Sequence, residues 1–392
     1  MIMVYEPAED TYLILEEVKK YAKGKVLEIG TGSGIISTVA SEKKDVKAVI
    51  AVDIDKKAIA HCKKTIKNKK IIWKVSDLFS EVKGKFDTII INPPYLPFDR
   101  REDEETRLTT TGGRHGYELT ERFLNSANDH LEKDGIIILL FSTLTNKEKI
   151  DEALANNLFE CEIIATKKVS FETLFVYLIK KNKFSKILDD KRITCIRRLT
   201  KGHRGLIFVG RQKKGTKYQE VTIKIQRWDI GAKGTVNNET TVLEKINKKG
   251  IGPQLYDSGD NFFIYKYIPG EFILEYLSHA NKKEATEIIL DVFKQMRILD
   301  LMGLNKEEMH HPVKHVIITP QKKAVLVDFE RCKPTHKPQN VTQFCQFVTG
   351  GRVAGSISKK GIIIDKKEMM IRAGKYKKDM SDTNYESILD LL

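Results

Sequence analysis

Four apolar runs in the first 95 residues each lead to a polar or acidic side chain, and this recurrence most limits the folds open to the chain. Lys25-Val26-Leu27 leads to Glu28. Ala48-Val49-Ile50-Ala51-Val52 ends in Asp53. Ile71-Ile72-Trp73-Lys74-Val75 leads to Ser76-Asp77-Leu78, and Thr88-Ile89-Ile90-Ile91 ends in Asn92. Short, nearly continuous apolar runs suit strands buried on both faces of a parallel sheet. A single acid at such a place reads as a strand-end or helix-capping carboxylate. Four polar ends in order predict a doubly wound α/β sheet whose strand ends converge on one site.

Between the first two runs lies Gly30-Thr31-Gly32-Ser33-Gly34, followed by Ile35-Ile36. Glycines let a backbone approach a ligand where a Cβ would block it. Dinucleotide enzymes space them as G-x-G-x-x-G around a pyrophosphate. Here they alternate, and Glu28 precedes them. That acid would repel a pyrophosphate but can pair with the ammonium of S-adenosylmethionine, which favours this cofactor over a nicotinamide dinucleotide. Asp53 stands where a ribose diol is gripped, and Asp77 with Leu78 stands where adenine is met.

The fourth run opens into Asn92-Pro93-Pro94-Tyr95. Methylating a planar NH2 group requires its nitrogen lone pair to be freed from conjugation and aimed at a methyl sulfonium. The Asn92 side-chain oxygen and the Pro93 carbonyl are two acceptors for the two N–H bonds. The prolines stiffen the loop, and Tyr95 offers a flat face to the substrate.

Glu6-Pro7-Ala8-Glu9-Asp10-Thr11-Tyr12-Leu13-Ile14-Leu15, the glycine turn and Asn92-Pro93-Pro94-Tyr95 together resemble the eukaryotic and archaeal release-factor glutamine methyltransferases over about residues 1–181. The resemblance implies a Rossmann-like, seven-stranded class I fold. It also implies methylation of the Gln amide in the Gly-Gly-Gln loop of the peptide-chain release factor. It assigns Thr11, Glu28, Gly30, Asp53, Asp77, Leu78 and Asn92 to S-adenosylmethionine, with Gly32 and Gly34 completing the turn, and Asn92 through Tyr95 to the substrate amide. A small zinc-binding activator subunit is implied as partner. An adenine or cytosine N-methyltransferase of nucleic acids is the competing enzyme class, because the same tetrapeptide would present an exocyclic amine.

After Tyr95 the stretch from Asp99 to His115 reads as an irregular charged loop, a substrate lid with a glycine hinge at Gly112-Gly113. The five cysteines form no Cys-x-x-Cys pair, which argues against a disulfide framework or a zinc ribbon. No signal segment or apolar run of membrane-spanning length is evident, so a soluble cytoplasmic protein is expected.

The net charge of +15 is unevenly spread. Residues 1–184 carry 30 Lys and Arg against 29 Asp and Glu, whereas residues 185–392 carry 38 against 24. The excess of +14 in the second part suggests an acidic partner, RNA or the ribosome.

That second part places Lys224 within the strand pattern Glu220-Val221-Thr222-Ile223-Lys224-Ile225, after Gly202-His203-Arg204-Gly205 and the run Leu206-Ile207-Phe208-Val209. Glu239 opens a helical pattern, and Ala324-Val325-Leu326-Val327 runs into Asp328-Phe329-Glu330. In protein kinases a strand lysine binds phosphates and pairs with a helix glutamate, and the Asp of D-F-G holds magnesium. Residues of about 195–350 resemble the small archaeal RIO-like and Bud-like kinases, which implies ATP and Mg2+ as ligands and a reduced kinase-like α+β domain. The departures are Asp-Phe-Glu in place of Asp-Phe-Gly, and histidines in the catalytic loop. With His315 in the asparagine place, His310 falls on the catalytic aspartate, leaving Glu308 or His310 as substitute base. No paired ligands accompany these histidines, so no metal site of their own is expected. The domains expected are 1–183, 184–350 and a tail of 351–392 with one or two helices.

Overall fold

The computed structural model describes residues 8–201, 205–226 and 235–392. Glu6 and Pro7 of the opening element, and Gly202, His203 and Arg204, lie outside the described residues. The chain divides into two compact units, Met1–Arg198 with Gly210–Gln219, and Leu199–Val209 with Glu220–Leu392.

The first unit is built on seven strands: β1 (Gly24–Ile29), β2 (Val46–Asp53), β3 (Ile71–Val75), β4 (Phe86–Ile91), β5 (Leu131–Ser142), β6 (Phe159–Lys168) and β7 (Thr173–Lys181). Their order is β3-β2-β1-β4-β5-β7-β6. The first five run parallel, and β7 lies antiparallel to both its neighbours. The reversal of strand order beside β1 sets the ends of β1 and β4 next to one another, with Ile29 paired to Ile91. Ligands gather at such a switch point in open α/β sheets.

Alternation explains why the strands read as continuous apolar runs. Val26 and Ile90 enter one buried cluster, while Leu27, Ile89 and Ile91 enter another. Helices cover both faces, so each successive side chain finds apolar neighbours. Helix α1 (Glu9–Tyr21) contributes Ile14, Leu15 and Val18 to the first cluster, and α2 (Ile35–Glu42) contributes Ile36 and Ala40.

The stretch after Tyr95 differs from the irregular lid expected of it. Asp103 caps a helix, α3 (Glu104–Thr110), and Leu96–Pro97 pairs in parallel with Thr111–Gly113. Gly112 and Gly116 allow close packing rather than hinging. A Cβ on Gly112 would lie 2.5 Å from the Pro94 carbonyl oxygen, and one on Gly116 would lie 2.5 Å from that of Tyr95. Charge density without apolar periodicity hid the helix, and the glycines are explained by backbone approaching backbone.

A second, five-stranded sheet has the order β8-β9-β10-β12-β11, comprising β8 (Ile193–Lys201), β9 (Gly205–Lys214), β10 (Lys217–Gln226), β11 (Leu255–Gly259) and β12 (Phe262–Lys266). Helix α4 (Thr235–Ile246) follows β10, and the longest helix is α5 (Lys282–Leu301). The segment 351–392 forms three helices instead of one or two: Gly351–Ser358, Lys366–Lys378 and Asp382–Leu389. Their side chains Ile357, Met369, Tyr376 and Ile388 enter the same core as Phe293 and Phe344. The tail is therefore part of the second unit. Asp300, on α5, joins it by accepting from the Asn340 and Val341 amides and the Tyr376 hydroxyl.

Candidate functional site

Glu28 leaves β1 into the interior of the first unit and is 1% exposed. Its Oε2 accepts from Thr31 Oγ1 at 2.8 Å and from Ser37 Oγ on α2. Burial raises the Glu28 pKa to about 7, against the opposing pull of those two hydroxyls. A buried carboxylate so close to neutrality gains its charge most readily beside a cation.

The glycine turn is shaped by backbone conformation. Gly30, Gly32 and Gly34 have φ of 75°, 49° and 79°, where any side chain is strained. The Gly30 and Thr31 amides donate to the Val52 carbonyl, and the Gly32 amide donates to Asp53 Oδ2 at 2.8 Å. These three amides are committed to β2 and its end. They do not form the donor cradle that a pyrophosphate needs, in keeping with the reading drawn from Glu28. Gly34 is the N-cap of α2, and a Cβ there would meet Cys62 Sγ at 2.9 Å and the Trp73 ring at 2.8 Å.

Asp53, at the end of β2, accepts from the Asp55 amide through Oδ1 and the Gly32 amide through Oδ2. Each oxygen keeps a further lone pair for a hydroxyl. Burial raises its pKa. Asp77 is exposed and pairs with Arg122 at 2.8 Å, and Leu78 is half-buried with a φ of 48°. The Ser76 hydroxyl holds that turn by donating to the Leu78 carbonyl.

Asn92 has the most telling geometry. Its Nδ2 donates to Asp10 Oδ2 at 3.0 Å, which fixes the amide plane and its direction. Its Oδ1 is buried and has no hydrogen-bond partner among the described residues. Asp10 also accepts from the Thr11 amide at 2.6 Å and its hydroxyl at 3.3 Å. Thr11, assigned to the cofactor by resemblance, thus buttresses the residue that orients Asn92. Asp10 carries no sequence signal of its own within Glu9-Asp10-Thr11, because no local spacing shows a contact spanning 82 residues. An unpaired buried acceptor costs about 1–3 kcal/mol, and a donor from a bound molecule removes that cost.

These features fit S-adenosylmethionine. Beside Gly30 a Cβ would meet only the Asn92 carbonyl oxygen at 3.9 Å, so the turn leaves open space against the end of β4. Glu28 can answer an ammonium, and Asp53 a diol.

In the second unit Lys224 is 6% exposed, and its Nζ donates to Glu239 Oε2 at 2.5 Å and Asp328 Oδ1 at 3.0 Å. Glu330 Oε2 stands 3.6 Å away. Glu239 Oε1 accepts from the Phe329 amide at 2.9 Å, so one carboxylate of α4 binds both the strand lysine and the Asp-Phe-Glu turn. Burial lowers the Lys224 pKa, but Glu239 and Asp328 outweigh it and the group lies above its ordinary range. Asp328 is held down to about 2, the lysines Lys224 and Lys306 overcoming its own burial. Its φ is 61°.

The histidines divide. His315 Nε2 lies 3.1 Å from Glu308 Oε2, and its Nδ1 lies 4.0 Å from Asp328 Oδ2. Burial, then Lys306, lowers its pKa, against the pull of Asp328 and Glu308. His310 is exposed and joins no contact found among these groups. Of the two residues the sequence offers as a base, Glu308, with a φ of 74°, is the one that stands beside His315. Glu308 also pairs with Arg331. Lys306 escaped sequence reading because it binds backbone. Its buried Nζ donates to the Val327 carbonyl at 2.9 Å and to that of Asp328. Among the described residues no group of three or more His, Cys, Asp or Glu is arranged to hold a metal, and no helix is long and apolar enough to cross a membrane.

Residues 8–172 match the family described as methyltransferase small domain. A Methanocaldococcus jannaschii protein that carries the name of a protein N5-glutamine methyltransferase is 41% identical over 177 residues, 44% of this chain and 89% of that protein. The mouse methyltransferase HEMK2 is 31% identical over 38% of this chain and 75% of its own length. The eRF1 methyltransferase catalytic subunit mtq2 of Schizosaccharomyces pombe is 29% identical over 45% of this chain and 88% of its own length. On the glycine turn, the buried acid of β1 and this similarity, the chain belongs through its first unit to the small-domain methyltransferases, and it is an S-adenosylmethionine-dependent N-methyltransferase.

Proposed function

We propose that the first unit methylates the side-chain amide nitrogen of a protein glutamine, the Gln of the Gly-Gly-Gln loop of the peptide-chain release factor. The observation that carries this reading is the unpartnered Asn92 Oδ1, aimed by the Asp10 bond. A primary amide has two N–H donors. Asn92 Oδ1 takes one, and the Pro93 carbonyl is offered for the other. Held by both, the nitrogen lone pair turns out of conjugation with the carbonyl. S-adenosylmethionine, when bound, supplies the electrophilic methyl. As the N–CH3 bond forms and the S–CH3 bond breaks, Asn92 and Pro93 would also stabilise the positive charge that grows on the nitrogen, as fixed acceptors do where charge develops, and one N–H proton would then leave to solvent. Glu28, Gly30, Gly32, Gly34, Asp53, Asp77, Leu78 and Thr11 are the residues we assign to the cofactor side. The glutamine names of the M. jannaschii relative and of the release factor glutamine methyltransferase of Streptococcus pneumoniae support the substrate. The fission-yeast relative is named a catalytic subunit, which supports a small activator partner for this chain. The experiment is labelling with tritiated S-adenosylmethionine of purified release factor, tRNA and DNA in parallel. Label on nucleic acid and none on the Gln loop would replace this reading with the nucleic-acid one.

Two consequences concern the cofactor. Asp53→Ala is expected to weaken S-adenosylmethionine by about 1.5–3 kcal/mol, the scale of hydrogen bonds to a charged acceptor. Calorimetry checks it, and unchanged affinity would remove Asp53 from the site. The second consequence is a pH dependence. Glu28 is neutral below its raised pKa of about 7 and ionised above it, and only the ionised form attracts the cofactor ammonium. Affinity should therefore rise between about pH 5.5 and 7.5, by up to roughly 20-fold, since each pH unit below the pKa is worth at most tenfold. In Glu28→Gln the profile should be flat. An equally steep profile in that variant would assign the titration elsewhere.

For the second unit we propose an atypical kinase-like module that binds ATP and Mg2+ through Lys224 and Asp328. The Lys224–Glu239 pair beside Asp328 supports it. Phosphoryl transfer relies on positioning and on metal-neutralised charge. With His315 in the second-metal place and Glu308 engaged by His315 and Arg331, turnover is expected to be slow relative to binding.

A further inference from the structure

The net charge of the chain is more localised than its two halves suggest. Residues 191–219 hold ten Lys and Arg and not one Asp or Glu, whereas 220–392 hold 27 against 22. Two thirds of the +15 therefore lies in 29 residues. The described ones among them run through the ribbon of β8, β9 and the start of β10.

The ribbon turns this composition into a surface. Strands β9 and β10 are joined by only Gly215 and Thr216, with Gly215 at a φ of 61°. A two-residue hairpin sets Lys214 opposite Lys217, Lys213 opposite Tyr218 and Arg211 opposite Glu220. The side-chain bond from Gln219 to Gln212, at 2.8 Å, agrees with that register. On the adjoining strand, the Lys213 amide donates to the Arg192 carbonyl at 3.0 Å. Arg192, Arg211, Lys213, Lys214 and Lys217 are all exposed. Alternation along a strand puts Arg211 and Lys213 on one face and Lys214 and Lys217 on the other, and Tyr218, 61% exposed, lies beside Lys213 on the first face. Among the described residues of these strands the acid at this register is Glu220, at its far end.

We infer that this basic ribbon around Tyr218 is a binding surface for single-stranded RNA. Cations in a row track a phosphate backbone, and an exposed aromatic ring among them gives a base something to stack on. A flat face with a single tyrosine lacks the apolar row that would enter a lipid surface. The inference goes beyond the glutamine reading and rests on it only for the choice of RNA over DNA, since the release factor works in translation.

The test uses the full chain and a fluorescein-labelled RNA of about 20 nucleotides, read by anisotropy from about 50 to about 200 mM KCl. Wild type should bind, with affinity falling steeply as salt rises. The triple variant R192E/R211E/K213E should lose roughly 30-fold or more and show a salt slope shallower by about 2, from three lost phosphate contacts on a single strand. Tyr218→Ala should lose about tenfold with its salt slope unchanged. The matched variant K248E/K249E/K359E, three exposed lysines elsewhere, should bind like wild type, and thermal unfolding midpoints show that each variant is folded. Equal loss in both triple variants would leave RNA binding standing and overturn its place on the ribbon. Tighter binding to phosphatidylserine vesicles or to single-stranded DNA would overturn the partner. No binding by wild type would end the nucleic-acid reading altogether, while glutamine labelling of the release factor would stand or fall separately.

Discussion

Asn92→Ala is expected to lower methyl transfer by about 10²-fold or more while S-adenosylmethionine affinity changes only a few-fold. The side chain offers one buried acceptor with no donor among the described residues, and it is already oriented by Asp10. Losing it removes an interaction that strengthens as charge grows on the substrate nitrogen, so kcat falls further than KM rises. Asp10→Ala tests the orienting half. Without its charged acceptor the Asn92 amide is free to turn its NH2 toward the substrate, and a loss of roughly tenfold is expected from a hydrogen bond of this kind. Single-turnover labelling of release factor separates the two variants. Wild-type rates in Asn92→Ala would sink the mechanism.

Lys224→Ala should unfold the second unit much more easily, by about 3–5 kcal/mol, because it strands buried Glu239 beside Asp328 and Glu330 with no cation between them. Asp328→Ala should leave stability nearly unchanged, since its side chain is 45% exposed and Lys224 keeps Glu239. Both variants should lose ATP binding, the first through the phosphate-facing cation and the second through the metal ligand. Urea unfolding and calorimetry with ATP and Mg2+ distinguish these outcomes. A Lys224→Ala protein as stable as wild type would mean that the three carboxylates do not depend on it. Robust autophosphorylation by wild type, lost in both variants, would make the chain bifunctional, with Glu308 the next residue to replace.

Much of the first unit was legible because its first four strands are short apolar runs with a polar residue at or near their ends. Glu28, Asp53 and Asn92 stand at or directly after strand ends, where the sequence put them. The Lys224–Glu239 pair could also be read ahead, since a lysine among β-branched strand residues must find a counter-charge. What stayed hidden depends on contacts between distant residues or on backbone form. Asp10 meets Asn92 only once α1 lies against the sheet. Lys306 binds carbonyls, which every residue has, so no side-chain pattern announces its target. The approach of Glu308 to His315 goes with one left-handed residue, Glu308 itself. The helix Glu104–Thr110 lacks the apolar stripe by which a helix is recognised in sequence.

The bond between Asp10 and Asn92 ties the opening helix to the end of the fourth strand. Neither segment can make the amide-binding arrangement alone. A newly synthesised chain acquires it only after residues made early and residues made some 80 positions later have closed on one another. Methyl transfer is thus a readout of completed folding: a nascent or partly opened domain could still offer its glycine turn to the cofactor, but it would not hold a substrate amide in position to react.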